Sequence, residues 1–398
     1  MLVQRRDSRC YLNIEVTSAQ LAHWLSQLVQ IPSVTPQQAG PRAGVPGEAR
    51  LAAQLAEWYA ALGGEVIREE VLPGRPNVYA IWRGKSDRWL AVDTHMDTVG
   101  VEQMEGDPFS GRIADGRVYG RGAADTKPTF AVTLALLEAM QRAHVTPQDN
   151  LLLGATIDEE VGAVGAPAFA QWIQARQLKI DQLVVAEPTL CTPVYGHKGL
   201  VRMRIEVHGQ AAHSSQPELG RNAITAAAPM LLALDKEAQR LLRIPAQTAL
   251  GPERLTVTLI SGGRGINVVP DRCEVSIDQR TLPGNDMQQV CATLTKLAEQ
   301  TCPLPITTTV LTLLDAFLQP CDSPWVRQLS AWAGQAPAVA PYCTNAWAYQ
   351  TSAKECIVLG PGNIEQAHGP NEWVDISELE KMAHMYAKWW GLVDDGAA

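Results

Sequence analysis

The chain has 398 residues, 33 Lys and Arg against 42 Asp and Glu, a net charge of -9, and a composition 46% hydrophobic and 19% charged. That balance excludes a disordered chain and opposes nucleic acid or an anionic membrane as partner, because the only dense basic run is the short Gln4–Arg9 segment. No signal peptide and no membrane-spanning apolar run is legible, which predicts a cytoplasmic location, and at about 150 residues per domain two or three domains are expected, two being the simpler reading.

Pro36–Gly47 reads as a loop rich in Pro and Gly. Arg88–Val92 then has the length and apolarity of a buried strand, Thr129–Ala143 has helical period, Leu151–Ile157 is a strand, Ala166–Arg176 a helix and Gln182–Ala186 a strand. Near Tyr195 the texture changes. Leu200–Val207 alternates like a half-exposed strand, Arg221–Leu242 reads as a helix, Arg254–Ser261 and Cys273–Arg280 alternate again, and Asp286–Gln300 is helical. After Pro305 the strand-helix rhythm returns, with Glu355–Leu359 a strand and Ile376–Trp390 a helix. The pattern predicts an α/β protein of two domains: an open, mostly parallel sheet flanked by helices over residues 1–194 and 306–398, interrupted by a small α+β unit at 195–305. The eight cysteines, at 10, 191, 273, 291, 302, 321, 343 and 356, form no C-x-x-C pair, so reduced thiols are expected rather than a thiolate metal site.

The polar chemistry gathers just past the predicted strands. His95 and Asp97 follow Arg88–Val92, Glu159 and Glu160 follow Leu151–Ile157, Glu187 follows Gln182–Ala186, and His368 follows Glu355–Leu359 after a glycine-rich turn. Open α/β sheets bind ligands beyond the carboxyl ends of their strands, so these distant segments are expected to converge, with Asp125 joining from the turn Gly120–Ala124. Two histidines and three carboxylates, His95, Asp125, Glu160, Glu187 and His368, form a nitrogen and oxygen donor set suited to zinc, with cobalt or manganese as substitutes. Five ligands exceed the needs of one structural zinc, and two ions sharing a bridging carboxylate account for the surplus. Asp97, two residues beyond His95 in extended chain, points the same way and is expected to accept the free ring N–H of His95.

Each piece has an ordinary alternative. Glu159 and Glu160 could be a solvated helix start, Gly120–Gly122 a plain turn lacking the spacing of a phosphate-binding loop, Glu187 before Pro188 a strand end, and His213 a surface histidine. The joint placement carries the reading.

The stretches THMDTV, DPFSGRIADGRVYGRGAADTK, TIDEEVG, VVAEPT, GHKGLVRMRIEVHGQAAHSSQPELGRNAI, INVVPDRCEVSIDQRTLPG and LGPGNIEQAHGPNEWV run from Ile31 almost to the C-terminus. Together they resemble the zinc-dependent deacylases and exopeptidases that include acetylornithine deacetylase, succinyl-diaminopimelate desuccinylase, aminoacylase and carboxypeptidase G. The resemblance implies that His95 and His368 each cap one of two zinc ions, that Asp125 bridges them, and that Glu160 and Glu187 complete the separate sites. It implies Glu159 as catalytic base, the inserted unit as a dimerisation domain acting as a lid, His213 reaching the active site of a partner subunit, and Arg280 and Asn267 near a substrate carboxylate. The substrate class it implies is a small N-acyl amino acid, hydrolysed by a homodimer.

Within the family, GHKG, GQAAHSS, YCTNAWAYQT and LGPGNIEQAHGPNEW are most similar to the acetylornithine deacetylase pattern. Where that pattern has Thr-Glu-Ala, this chain has Thr344, Asn345 and Ala346, a neutral amide in place of a carboxylate suited to a cationic side chain, so Asn345 is expected to meet a neutral or differently shaped substrate. Thr126 and Pro128 also depart from the family's usual Met and Gly, with Lys127 kept. The alternatives are a metallo-exopeptidase of the same fold and a non-catalytic binding homologue, which the intact Glu159 opposes. A two-metal phosphoesterase is disfavoured because no Arg or Lys group is expected near the ligands.

Overall fold

Four short apolar runs form the parallel centre of a sheet. Asn150–Thr156, Trp89–His95, Ile180–Val185 and Ala353–Val358 lie side by side in that order, and the antiparallel strands Arg75–Trp82 and Glu65–Leu72 extend it on one side. Strands covered on both faces need apolar residues at every position, which is why these segments read as continuous hydrophobic runs. On one face Leu90, Val92, Leu151, Leu153, Val184 and Ile357 share a core with the helices Ser18–Val29, Lys127–Arg142 and Ile376–Trp389. On the other, Tyr79 stacks on Phe169 of the helix Gly165–Ala175, their ring centroids 4.7 Å apart. Helices therefore flank the sheet on both sides, as the sequence predicts.

The computed structural model describes residues 14–393, so the basic run Gln4–Arg9 and Cys10 lie outside the described residues. Two units separate by their internal contacts: residues up to Tyr195 with Gln319–Ala338 and Thr344 onward, and Gly196–Leu318 with Val339–Cys343. The smaller unit is an antiparallel sheet ordered Arg254–Gly262, Arg272–Thr281, Gly199–His208, Ile306–Leu314. Its inward residues Met203, Ile205, Val207, Val275 and Ile277 form a core shared with the helices Ala223–Leu242 and Met287–Thr301. Those helices start where Asn222 and Asp286 side chains accept hydrogen bonds from the first free backbone amides, the usual role of a capping Asn or Asp.

The predicted end of this unit at residue 305 is corrected. Ile306–Leu314 pairs antiparallel with Gly199–His208, so the unit continues to Leu318. Pro305 does not break the unit; it precedes the edge strand, a place where a residue without an N–H is tolerated. Among the described residues no disulfide forms, and no helix is long and apolar enough to cross a membrane.

Candidate metal centre

Parallel pairing brings the ends of the central strands to one edge. His95 is level with Thr156, and Val185 with both Asp93 and Val358, so the residues that follow each strand leave the sheet together. The turn carrying Glu159 and Glu160 is not a helix start, since the next helix begins only at Gly165. After Leu359 the chain passes close to Glu187. A Cβ on Gly360 would lie 2.5 Å from the Glu187 carbonyl oxygen, and Gly362 has φ +97°, so glycine is required at both positions for the loop to reach His368.

The five predicted ligands meet in two groups that share one residue. Ligand atoms of His95, Asp125 and Glu187 lie within 4.8 Å of one another, as do those of Asp125, Glu160 and His368. Asp125 faces both ways: Oδ1 is 3.1 Å from Nε2 of His95, and Oδ2 is 3.2 Å from Nε2 of His368, which also approaches Glu160 Oε2 at 3.1 Å.

The electrostatics describe a site short of positive charge. Burial lifts Glu160 to about 7, with the Asp125 charge adding to it, and lifts Glu159 to about 8 against the pull of His95. Glu187 is pushed well above the carboxylate range by burial and by the charges of Glu159 and Asp125. Asp125 goes the other way: burial opposes its ionisation, but hydrogen bonds from His368 and His95 hold it well below. His368 rises to about 11 through its bonds to Asp125 and Glu160. Protons on the imidazoles thus supply the charge that crowded carboxylates demand, and divalent cations at the same atoms would supply it better, which is the fit expected of a metal-binding donor set.

Asp97 requires a correction. The closest partner of His95 Nδ1 is the Asp97 backbone carbonyl at 3.0 Å, while the carboxylate is 3.6 Å away. The carboxylate instead accepts from the backbone amides of Glu159 at 3.0 Å and Glu160 at 3.1 Å, which ties the end of the His95 strand to the turn bearing both glutamates. The expected absence of Arg and Lys near the ligands is also corrected. Arg121 and Lys127 flank Asp125 in the chain, both buried, but neither cation is free for a phosphate. Arg121 Nη1 bonds Glu372 at 2.6 Å, and Lys127 Nζ bonds the carbonyls of Leu28 and Ile31 at the end of the first helix.

Glu372 is a residue that sequence reasoning missed. Its Oε1 accepts from the backbone amides of Ala124 at 2.9 Å and Asp125 at 3.1 Å, so a fully buried ion pair fixes the peptide that presents the shared ligand. The available signal was an acid directly before the apolar pair Trp373 and Val374, four residues past His368.

Asn345 is 2% exposed, and its Nδ2 donates to Asp93 Oδ2 at 3.0 Å, so the amide also works inside the fold. Asp93, on the Trp89–His95 strand, also accepts from Thr156 Oγ1 at 2.7 Å. A carboxylate at position 345 would face that of Asp93 in a dry site. Asn345→Glu should therefore destabilise the protein by about 1–3 kcal/mol in thermal or urea melts, and Asp93→Asn added to it should recover most of the loss. An unchanged melt with altered substrate preference would place Asn345 in the substrate pocket.

The smaller unit brings together two of the other candidates. His213 pairs with Val268 in a two-residue ladder, and Ser214 N–H donates to the Asn267 carbonyl at 2.9 Å. The Ser215 amide donates to His213 Nδ1 at 3.2 Å, and the Ser215 hydroxyl lies 2.7 Å from the same nitrogen. Arg280 is held by Asp278 of its own strand, Nε to Oδ1 2.8 Å.

Residues 91–391 match the family model described as peptidase family M20/M25/M40. The chain is 32% identical over 351 residues to a protein named acetylornithine deacetylase from Aliivibrio salmonicida, covering 86% of this chain and 91% of that one. Among solved structures it is similar to an M20 family metallo-carboxypeptidase from Sulfolobus solfataricus, with a TM-score of 0.78, 20% identity, and 94% of this chain and 98% of that one covered. It is also similar to a dinuclear metal binding peptidase of the M20 family from Bacillus subtilis, with a TM-score of 0.65, 16% identity and the same two coverages, 94% and 98%. At such identities the two structures speak for the fold.

Proposed function

Because the chain belongs to peptidase family M20/M25/M40 and is a hydrolase of amide bonds, we propose that it removes the acyl group from the nitrogen of a small amino-acid-like substrate at a two-zinc centre. The observation that carries the reading is the shared carboxylate, one oxygen of Asp125 toward each histidine. His95, Asp125 and Glu187 would hold one cation, and Asp125, Glu160 and His368 the other, with cobalt or manganese able to substitute. Such a pair, when bound, polarises a carbonyl oxygen and acidifies water.

The remaining work falls to the chain's own groups. Glu159 belongs to neither donor group, yet it feels the charges of His95, Glu160 and Asp125. It takes the proton of the attacking water and returns it to the departing amine, one carboxyl serving both transfers. His213, supplied by a second copy of the chain, would donate to the oxyanion. Mixing Glu159 and His213 variants should then restore part of the activity that each lacks alone; no recovery despite subunit exchange would remove His213 from this role.

Zinc titration followed by a screen of N-acetyl, N-succinyl and N-formyl amino acids against dipeptides tests the reading. Two equivalents of cation should bind, Asp125→Asn should weaken both, and acyl amino acids, among them acetylornithine and acetylcitrulline, should turn over faster than dipeptides. Faster cleavage of dipeptides would make the protein an exopeptidase, and a single tight equivalent would end the two-cation reading.

A further inference from the structure

The turn that carries Glu159 and Glu160 is held in an unusual way. Four consecutive backbone amides, from Ile157 to Glu160, are each received by a buried side-chain oxygen: Asn77 Oδ1 at 3.0 Å, Glu48 Oε1 at 3.1 Å, and the two Asp97 oxygens at 3.0 and 3.1 Å. Neither helix nor strand supplies these bonds. Asp158 at the centre of the turn has φ +65°, a left-handed conformation that a non-glycine residue keeps only when its surroundings impose it.

The side chain of Asp158 meets a charged group that the mechanism does not use. Arg75, the first residue of the strand Arg75–Trp82, donates through Nε and Nη2 to the two oxygens of Glu48, both at 2.7 Å, and Nη2 also donates to Asp158 Oδ1 at 2.9 Å. Glu48 is fully buried, Asp158 is 2% exposed and Arg75 8%. One cation against two carboxylates in a dry interior is a poor way to gain stability, since apolar side chains of like volume usually do as well or better. A planar guanidinium fork does fix three groups in one geometry.

We propose that Glu48, Arg75 and Asp158 form a positioning clamp for the amidohydrolase centre: Arg75 locks Asp158 and so sets the direction of the Glu160 ligand and the Glu159 base on either side of one short turn. The clamp rests on the proposed roles of Glu159 and Glu160. It touches neither substrate nor cation, and it acts through the backbone of residues 157–160.

Arg75→Lys keeps the charge and removes the fork, and Asp158→Asn keeps the acceptor oxygen and tolerates the left-handed backbone. Each is compared with the parent chain for thermal midpoint, zinc affinity by titration, and kcat and KM on an N-acetyl amino acid. Arg75→Lys should stay folded, bind the zinc that Glu160 would hold about 10–100-fold less tightly and lose a similar factor in kcat with KM little changed, as loss of an outer support of a metal ligand does. Asp158→Asn, which keeps an acceptor but loses the charge of the pair, should fall between the parent chain and Arg75→Lys in zinc affinity and kcat. If Arg75→Lys lowers only the melting midpoint, with zinc affinity and kcat intact, the group is structural and the clamp is refuted. Should Arg75→Lys not fold, Asp158→Ala is read by the same measurements with the same two outcomes. Glu160→Gln separates the clamp from its premise: if that variant binds zinc like the parent, the ligand assignment fails, whereas weakened Glu160→Gln beside unaffected Arg75→Lys overturns the clamp alone.

Discussion

Glu159→Gln should lower kcat by roughly 10² to 10⁴ while leaving zinc content and melting temperature unchanged. The expectation follows from where the residue sits. Glu159 is outside both donor groups, so the amide keeps their charge and their ligands. Its backbone N–H is bound to Asp97 whatever the side chain, so the turn should hold its shape. What the amide cannot do is take a proton from water or deliver one to nitrogen. Burial holds the Glu159 carboxyl at about 8, far above an exposed glutamate, and cations nearby would draw it down toward neutrality, the range in which a group both accepts and returns a proton efficiently. A carboxyl held at about 8 is largely protonated in the cation-free protein near neutral pH, so the neutral amide changes little in its charge balance. The measurement is single-turnover and steady-state kinetics alongside metal analysis. Near-normal turnover with two zinc ions bound would move the base elsewhere.

The same residues show how far a sequence speaks about a site. His95, Glu160, Glu187 and His368 were legible because strand ends are legible: a buried strand is a continuous apolar run, and the polar residues that follow it stand out, whereas Asp125 was marked by the glycine-rich turn before it. The helices Ala223–Leu242 and Met287–Thr301 were legible within two residues at each end because their period is regular and Asn222 and Asp286 mark their starts. Less was visible near the N-terminus. The helix Ser18–Val29 begins with a capping box at Thr17 and Gln20, but its last turn has no basic residue and no glycine stop, so its pattern does not announce itself. The strands Glu65–Leu72 and Arg75–Trp82 differ for another reason. The first is an edge strand carrying Glu65, Arg68, Glu69 and Glu70, and such charge is what an edge needs to avoid pairing with another chain.

Side-chain partners were the least legible. Asp97 lies where an extended chain would aim it at His95, yet the backbone carbonyl makes the shorter contact, because the carboxylate is drawn to two amides of a turn 62 and 63 positions away. The Asn345 amide serves Asp93 across 252 positions. No local pattern encodes contacts of that kind; they exist only once the sheet has brought strand ends together.

Glu372 is the sharpest case, and its replacement should have the largest effect on stability. Glu372 and Arg121 are each 1% exposed and form a 2.6 Å ion pair, and the second Glu372 oxygen receives the amides of Ala124 and Asp125. Glu372→Leu would leave a guanidinium buried without its counter-charge, held only by the carbonyls of Gly100 and Gly369, with two further amides orphaned. Breaking such a pair from one side costs about 3–5 kcal/mol. Zinc affinity should fall as well, since the peptide that aims Asp125 loses its anchor. Glu372→Gln keeps an acceptor oxygen for the amides and should lie between the two. The double substitution Arg121→Met with Glu372→Leu separates charge from position: removing both charges should recover much of the stability, because no ion is left unpaired, but not the zinc affinity, because nothing then holds the Asp125 amide. Urea melts and zinc titrations on the three variants read the two quantities independently. Recovery of affinity together with stability would mean that Asp125 is oriented by the rest of its turn, and that the ion pair matters only to folding.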